Sequence, residues 1–495
     1  MSRKRIGAGV AVALAAVALA QPGAIGQAQR QIRTVNSMSP SEKAEGAKAH
    51  PQLLEEFGGL YDGRQAAYVA SVGKRIATQS SLSAQQSDFT VSLLNSNVNN
   101  AFAIPGGYVY VTRQLMALMN DEAELAGVLG HEVGHVAAQH GKRRQSAAQR
   151  NSILGALGQV LIGAVAGDSG FGQLLQRGIG TGAQLLTLKF SRSQEYEADD
   201  LGIRYLAKAG YDPRALSSML ASLAAQNSLD QRLGGGNQGV PEWASTHPDP
   251  ASRVQRALQG ARQSGSTSSQ RNAAVFLSQV DGIVYGEDPK GGVVEGGRFI
   301  HPVFRLQFSV PSGFGLENGA QAVSIAGSGG QAQFTAGKFN GELGAYVRSV
   351  FQQLAGQNQN IPQMEISRTT INGLPVAYGT TRATASQGGA LDITIFAYQF
   401  SPTTAYHFIV ATPAGQGIGP FGPMLNSLRR ISEQEASAVR TRRVKVVTVG
   451  SGDTSASLAA RMVFDDYKAE RFQVLNGLPA NARLTPGQKV KIVTY

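Results

Sequence analysis

Two histidines and one glutamate form the pattern in this sequence that is best suited to chemistry. His131 and His135 stand four residues apart, and Glu132 directly follows the first of them. Residues 121–135 contain good helix formers and no proline, so both imidazoles are expected on one helical face, where they can bind one zinc ion. Glu132 would then lie beside the metal as the general base that takes a proton from water.

A catalytic zinc site needs a third protein ligand and an open position. Four acidic residues stand at the predicted start of another helix: Glu195, Glu197, Asp199 and Asp200. Glu195 is favoured because Asp199, four residues on, could accept the outer N–H of a ligating histidine. Glu197 has Leu201 at the equivalent place, which favours solvent or an arginine partner. The alternative for the whole cluster is ordinary capping of a helix N-terminus.

The extended segment 102–112 is predicted to supply an edge strand beside the catalytic helix. An extended substrate would add to this strand by main-chain hydrogen bonds, a mode that tolerates many sequences and suits unfolded polypeptide. The alternative is a buried hairpin arm with its turn at Pro105-Gly106-Gly107. The candidate substrate-binding residues are Phe102, Ala103, Ile104, Gly106, Gly107 and Tyr108.

Four motifs in this order resemble the zinc metallopeptidase family of HtpX, the CAAX prenyl protease and BepA, which are gluzincins with HExxH and ExxxD motifs. They are residues 99–112, His131–His135, Ser191-Arg192 with Glu195 and Asp199, and Thr246-His247-Pro248 with Arg253. The resemblance covers about residues 50–258. It implies a mainly α-helical zincin-type domain with a small edge β-sheet. It also implies one Zn²⁺ on His131, His135 and Glu195, with Glu132 as catalytic acid and base.

The same resemblance places Asp199 and Arg253 behind the ligands and His247 near the metal. His247 is followed by Pro-Asp-Pro, which fixes a turn. Two catalytic hypotheses follow: His247 fills the fourth zinc position at rest and limits activity, or it stabilises the oxyanion. A structural loop histidine is the third possibility. Transmembrane helices like those of HtpX and tetratricopeptide repeats like those of BepA are not evident.

The composition excludes several other chemistries. The 495 residues contain no cysteine and 7 histidines, so thiol nucleophiles, disulfides and Cys-ligated metals are ruled out. A transition metal must be held by His, Asp or Glu. The net charge of +12 favours anionic surfaces. No basic motif with interleaved aromatic residues is present, and nucleic acid is not an expected partner.

Residues 1–20 are predicted to be a secretory signal peptide, because a basic stretch at residues 3–5 precedes an apolar run that ends in small residues. An uncleaved anchor is the alternative. The prediction implies an exported protein, soluble after cleavage, in a bacterial periplasm or envelope. The apolar segment 153–166 is too short to span a bilayer. It is predicted to be a lid or buried helix, with peripheral membrane contact as the alternative.

The rest of the chain divides by composition. Residues 21–49 are predicted to be disordered, 50–260 to form the metallopeptidase domain and 261–297 to be a linker. Residues 298–432 show short alternating runs that predict an α+β accessory domain. Residues 444–495 read strand, helix, helix, strand and resemble a LysM module, which in its family binds the N-acetylglucosamine chains of peptidoglycan. A purely structural βααβ cap is the alternative.

The sequence thus predicts a multidomain exported zinc metalloendopeptidase that acts on misfolded or unassembled envelope proteins. Polypeptides are the expected substrates, and peptidoglycan is a candidate partner of residues 444–495. Two alternatives remain: a wall-bound chaperone or scaffold with an idle protease fold, and a peptidoglycan endopeptidase. Structural or surface roles are expected for the other histidines, which are His50, His140, His301 and His407.

Overall fold

The computed structural model describes residues 34–143, 189–233, 246–355, 364–384 and 390–495. The predicted signal peptide and the predicted lid at residues 153–166 lie outside these ranges. Within the described ranges, no helix combines the length and the apolar character needed to cross a bilayer.

Helices and strands alternate along the described parts of the chain. The helices are α1 Pro40–Glu56, α2 Arg64–Ala77, α3 Arg113–Leu118, α4 Glu122–Ala137, α5 Arg192–Lys208, α6 Ala215–Leu233, α7 Pro250–Gln263, α8 Ala273–Val280, α9 Leu343–Ala355, α10 Gly422–Ser427, α11 Glu433–Ala438, α12 Ser455–Ala460 and α13 Lys468–Leu475. The strands are β1 Thr90–Leu94, β2 Ala101–Ile104, β3 Tyr108–Thr112, β4 Val293–Glu295, β5 Arg298–His301, β6 Leu306–Ser309, β7 Gly315–Asn318, β8 Val323–Gly327, β9 Gly330–Lys338, β10 Ser367–Ile371, β11 Leu374–Thr384, β12 Ala390–Ser401, β13 Thr404–Pro413, β14 Arg429–Arg430, β15 Arg443–Thr448 and β16 Lys489–Thr494.

Helix α4 is the central element of the first 260 residues. It lies against α2, α5, α6 and a small sheet, and all its residues except Val136 are buried. Glycines bring α5 unusually close. A Cβ atom on Gly202 of α5 would lie 3.2 Å from the main-chain nitrogen of His131, and one on Gly134 would lie 3.3 Å from the main-chain oxygen of Ala198. This approach sets the first turns of α5 against the HExxH segment of α4.

The small sheet has the order β1-β3-β2, with β1 parallel and β2 antiparallel to β3. The turn between β2 and β3 contains Gly106 and Gly107, both at positive φ. A Cβ atom on Gly106 would lie 2.6 Å from the main-chain oxygen of Glu42, and one on Gly107 would lie 2.2 Å from the main-chain oxygen of Asp88. Only glycine therefore fits this turn against α1 and the segment just before β1. Gly106 and Gly107 thus form the hairpin turn of the alternative prediction, and strand β2 lies at the edge of the sheet.

The predictions for two irregular segments are wrong in part. Disorder was expected for residues 21–49, but α1 begins at Pro40, where the Ser39 and Glu42 side chains form a capping box. The segment 261–297 is not a loose linker, because α7 extends to its third residue and α8 packs with Phe276 and Val280 fully buried. Burial of the apolar face of α8 explains its order.

The next region is built in layers. A seven-stranded antiparallel sheet has the order β10-β11-β12-β13-β9-β8-β7. One face packs against α9, and the other packs against the four-stranded sheet β14-β6-β5-β4 through aromatic side chains such as Phe299, Phe308 and Phe408. The chain ends in the order β15-α12-α13-β16, with the two strands antiparallel around their own apolar core.

Candidate metal centre

Four buried side chains converge where α4, α5 and the start of α7 meet. They are His131, His135, Glu195 and His247, each offering one ligand atom within 4.8 Å of all the others. His131 and His135 follow from the i, i+4 spacing in α4, and Glu195 comes from the first turn of α5 after the Ser191 cap. All four are candidate site residues from the sequence, and the fold brings them together.

The distances between these donors fit one tetrahedral ion. His131 Nε2 lies 3.0 Å from His135 Nε2, 3.4 Å from His247 Nδ1 and 3.6 Å from Glu195 Oε2. His135 Nε2 lies 3.5 Å from Glu195 Oε1. A tetrahedron with zinc–ligand bonds of ~2.0–2.1 Å has edges of about 3.3 Å. The donors, two or three imidazoles and a carboxylate, are those that zinc prefers.

Glu132 lies beside this set and outside it. Its side chain is buried, and Oε1 accepts no hydrogen bond among the described residues. Burial raises the pKa of Glu132, and the charges of His247 and His131 oppose this shift. His247 Nε2 lies 3.6 Å from Oε1. A buried carboxylate oxygen without a partner is costly, and it fits a group that meets water or substrate here.

Asp199 and Arg253 hold the ligands from behind. Asp199 Oδ1 lies 3.0 Å from His131 Nδ1. The Nδ1–H group therefore donates a hydrogen bond to Asp199, and Nε2 is left free for a metal. Arg253 donates to both Asp199 oxygens at 2.5 and 2.9 Å, and its Nη1 donates to Glu195. Burial raises the pKa of Asp199, but Arg253 and His131 outweigh it and lower the pKa to about 2.

His135 has an equivalent support that the sequence did not reveal. Its Nδ1 lies 2.8 Å from Nδ1 of His140, whose Nε2 lies 2.9 Å from Glu197. Because the Nε2–H of His140 donates to the carboxylate, its Nδ1 accepts from His135 and leaves His135 Nε2 free. Arg143 donates to Glu197, as expected for that carboxylate. Phe190, to which no sequence motif points, stacks on the His135 ring with 3.9 Å between the ring centroids.

The placement of His140 depends on how α4 ends. The helix stops at Ala137, and Gln139 takes the left-handed conformation with φ of 53°. This turns the chain back, so that a residue five positions after His135 contacts it. The only sign of this contact in the sequence is that His140 follows His135 by five residues.

His247 reaches the cluster from a turn before α7. Phe190 N–H donates to the Thr246 oxygen, and Asp249 caps α7 with φ of 60° ahead of Pro250. Burial lowers the pKa of His247, but the carboxylates of Glu195 and Glu132 outweigh it and raise the pKa.

The candidate substrate-binding residues divide into two groups. Phe102, Ala103 and Ile104 lie on β2 at the edge of the sheet, and Ala103 is partly exposed. Gly106 and Gly107 are buried in the hairpin turn, and Tyr108 begins the central strand β3 with its ring near His50. The structure therefore leaves the edge position to the residues of β2, because α1 and the neighbouring strands already cover the other three.

Two segments of the chain match known protein families. Residues 63–261 match the profile of peptidase family M48, and this range contains all four residues of the metal cluster. Residues 63–261 form a peptidase family M48 domain. Residues 447–493 match the LysM domain, in agreement with the order of its strands and helices. The chain is therefore multidomain, with an M48 domain near its start and a LysM domain near its end.

Several curated relatives match part of the chain. The chain is 33% identical over 207 residues to the beta-barrel assembly-enhancing protease of Yersinia pestis, covering 41% of this chain and 40% of that protein. It is 32% identical over 199 residues to the Escherichia coli K12 protein of that name, covering 40% and 39%. It is 35% identical over 164 residues to the mitochondrial metalloendopeptidase OMA1 of Arabidopsis thaliana, covering 33% and 30%. The chain thus spans about two fifths of the length of the assembly-enhancing proteases that it matches.

Proposed function

We propose that this protein is an exported zinc-dependent metalloendopeptidase that hydrolyses peptide bonds of misfolded or unassembled envelope proteins. The observation that carries the proposal is the tetrahedral set of His131, His135, Glu195 and His247 beside the unpartnered carboxylate oxygen of Glu132. The M48 match and the metalloendopeptidase relatives support the reaction class. The LysM match supports an envelope location, with peptidoglycan as the partner of residues 444–495.

The proposal includes a division of the chain. Residues 50–260 form the zincin-type peptidase domain, 298–432 an α+β accessory domain and 444–495 a LysM-like domain. The first 20 residues act as a signal peptide.

The chain's own residues account for the steps of hydrolysis. Bound zinc would supply Lewis-acid polarisation of the substrate carbonyl and of a water molecule. Glu132 takes the water proton at Oε1 and later gives it to the leaving nitrogen, since the same group must act as base and then as acid. Asp199 and His140 keep the metal-facing nitrogens of His131 and His135 unprotonated. The edge strand β2 pairs with an extended polypeptide.

The test compares two substrates. Purified full-length protein is incubated with casein and with muropeptides, with metal analysis and with Glu132→Gln as the control. Casein cleavage that requires Glu132 and zinc supports the proposal. Muropeptide cleavage alone indicates a peptidoglycan endopeptidase, the second candidate, which the LysM match favours. Absence of zinc, or casein cleavage unchanged by Glu132→Gln, would overturn the proposal and favour an idle scaffold.

We predict that His247→Ala raises basal casein cleavage. Its Nδ1 lies among the metal donors, 3.2 Å from Glu195 Oε1 and 3.4 Å from His131 Nε2, so its removal opens the fourth position. Initial rates at saturating casein and matched zinc content measure the effect. A fall in kcat would instead assign His247 to stabilising the oxyanion, and an unchanged rate contradicts both roles.

We predict that His140→Phe weakens zinc binding by about 10–100-fold, the usual effect of losing a group that orients a ligand. Phenylalanine fills the buried site but accepts no hydrogen bond from His135. Competition with a chelator measures affinity, and the visible spectrum of the Co²⁺-loaded protein reports ligand geometry. His140→Gln retains a hydrogen-bond acceptor and should recover part of the affinity. Equal affinity in wild type and His140→Phe would refute this role.

A further inference from the structure

The LysM domain contacts the M48 domain over a continuous interface. Part of the segment 261–297, which is predicted to be a linker, lies between the M48 and LysM domains. Gly282 N–H donates to the Val444 oxygen at 2.8 Å, and Val444 N–H donates to the Ile283 oxygen at 3.0 Å, so this segment pairs with β15. Helix α13 packs against α3 and α6. A Cβ atom on Gly477, just after α13, would lie 3.1 Å from Asn120 Nδ2.

Lys491 is the most unusual residue at this interface. It lies on β16, and its side chain is fully buried. Its ammonium donates to three consecutive main-chain oxygens of the M48 domain, at 2.7 Å to Ala117, 3.2 Å to Leu118 and 2.5 Å to Met119. Lys489, two residues earlier on the same strand, is exposed.

Two of these oxygens belong to the last two residues of helix α3, and the third belongs to Met119, which directly follows the helix. The last carbonyls of a helix have no partner within the helix, and a cation there is favourable because of the helix dipole. Met119 leaves the helix with an extended conformation, ψ of 153°, so the helix cannot supply the missing donors by continuing. The LysM domain therefore provides the C-terminal cap of a helix in another domain.

The capped turn leads directly into the catalytic helix. Asp121 is the N-cap of α4, and Glu124 in its first turn accepts from Asn120 N–H at 2.8 Å. Arg271, from the segment predicted as a linker, donates to Asp121 at 2.6 Å and to Glu124 at 3.2 Å. Burial lowers the pKa of Lys491 to about 7, and the carboxylates of Glu124 and Asp121 oppose this shift.

We propose that the LysM domain is a fixed structural part of the peptidase domain, and that Lys491 joins the two by capping α3 and fixing the start of the catalytic helix. The binding surface is the C-terminal end of α3 with Asn120 and the adjoining face of α6, and its occupant is the chain's own β16 and α13. A protein held on a polymer by its LysM domain would thus present its metal cluster in one orientation. This inference concerns the fold and is tested without peptidase activity, so its failure and that of the proposed function are distinguishable.

The first test uses full-length Lys491→Met with Lys489→Met as the matched control. Methionine keeps the buried stem but removes every donor, so Leu118 O keeps only the Asn120 amide, while the Ala117 and Met119 oxygens lose the hydrogen bond from Lys491. Thermal unfolding is followed by the helical circular dichroism, which reports mainly the M48 domain and its surroundings because α1–α7, with most of the helical residues described, all lie before residue 264. We expect Lys491→Met to lower the melting temperature of that domain by about 5 °C or more, and Lys489→Met to leave it unchanged. Equal melting temperatures in the two variants would overturn the proposal.

The second test uses the unaltered protein, so it holds even if Lys491→Met fails to fold. Native protein is treated briefly with an amine-acetylating reagent, and modification of each lysine is read by mass spectrometry. A docked LysM domain exposes Lys491 only through local opening, so its acetylation should be at least about tenfold slower than that of Lys489. Acetylation of both lysines at the same rate would show that the LysM domain is a free tether.

Discussion

Replacing Glu132 by glutamine should lower casein hydrolysis by about 10²–10⁴-fold while zinc content and folding stay unchanged. Glutamine has nearly the same shape, but its amide cannot take a proton from water and return it to a leaving nitrogen. Glu132 is outside the set of metal donors, so the metal should remain bound. Because Oε1 accepts no hydrogen bond from the described residues, the substitution breaks none there.

The measurement combines initial rates with metal analysis and thermal unfolding. Glu433→Gln is a matched control, because the same chemical change is made on a side chain that is 89% exposed in another domain. A Glu132→Gln protein that retains wild-type activity would remove Glu132 from the mechanism. Loss of zinc from that variant would instead make Glu132 a ligand.

Replacing Arg253 by methionine should have the largest effect on stability. Arg253 is fully buried and pairs with both Asp199 and Glu195, which are fully buried too. Removing one partner of a buried ion pair leaves an uncompensated charge, which costs about 3–5 kcal/mol. For a domain of this size that corresponds to a fall in melting temperature of roughly 10 °C. Zinc binding should weaken as well, because Asp199 and Glu195 lose the group that fixes them.

Arg256→Met provides the matched control. Arg256 lies one turn further along α7 and pairs with Asp200 of α5, but both side chains are about one-third exposed. A partly exposed pair of this kind contributes at most about 1 kcal/mol. Thermal unfolding of both variants, with and without chelator, separates the stability effect from the metal effect. If Arg256→Met destabilises the protein as much as Arg253→Met, the buried network has no special role.

Several features of the site could be predicted from local spacing alone. The i, i+4 relation of His131 and His135 is fixed by helix geometry, and so is the relation of Glu195 to Asp199 on α5. The glycines of α4 could not be interpreted in the same way, because their purpose is the close approach of α5, a contact between segments far apart in the sequence.

Local patterns also led to errors where a contact from elsewhere decides the structure. Residues 261–297 are predicted to be a linker, yet Arg271 pairs with Asp121 and Glu124 at the start of α4. The hairpin turn at Gly106 and Gly107 was predicted as part of a substrate-binding edge, but α1 covers it.

The sequence by itself limited the chemistry of this protein: in a cysteine-free chain, a transition metal must be held by histidines and carboxylates, and the candidate ligands stand at helical spacing beside one candidate general base. Only the tertiary structure decided which groups support those ligands. His140 lies opposite His135 because Gln139 reverses the chain. Lys491 shares one face of β16 with Lys489, which is exposed. Lys491 is buried because three main-chain oxygens of another domain accept hydrogen bonds from its ammonium, a contact that no pattern within β16 indicates.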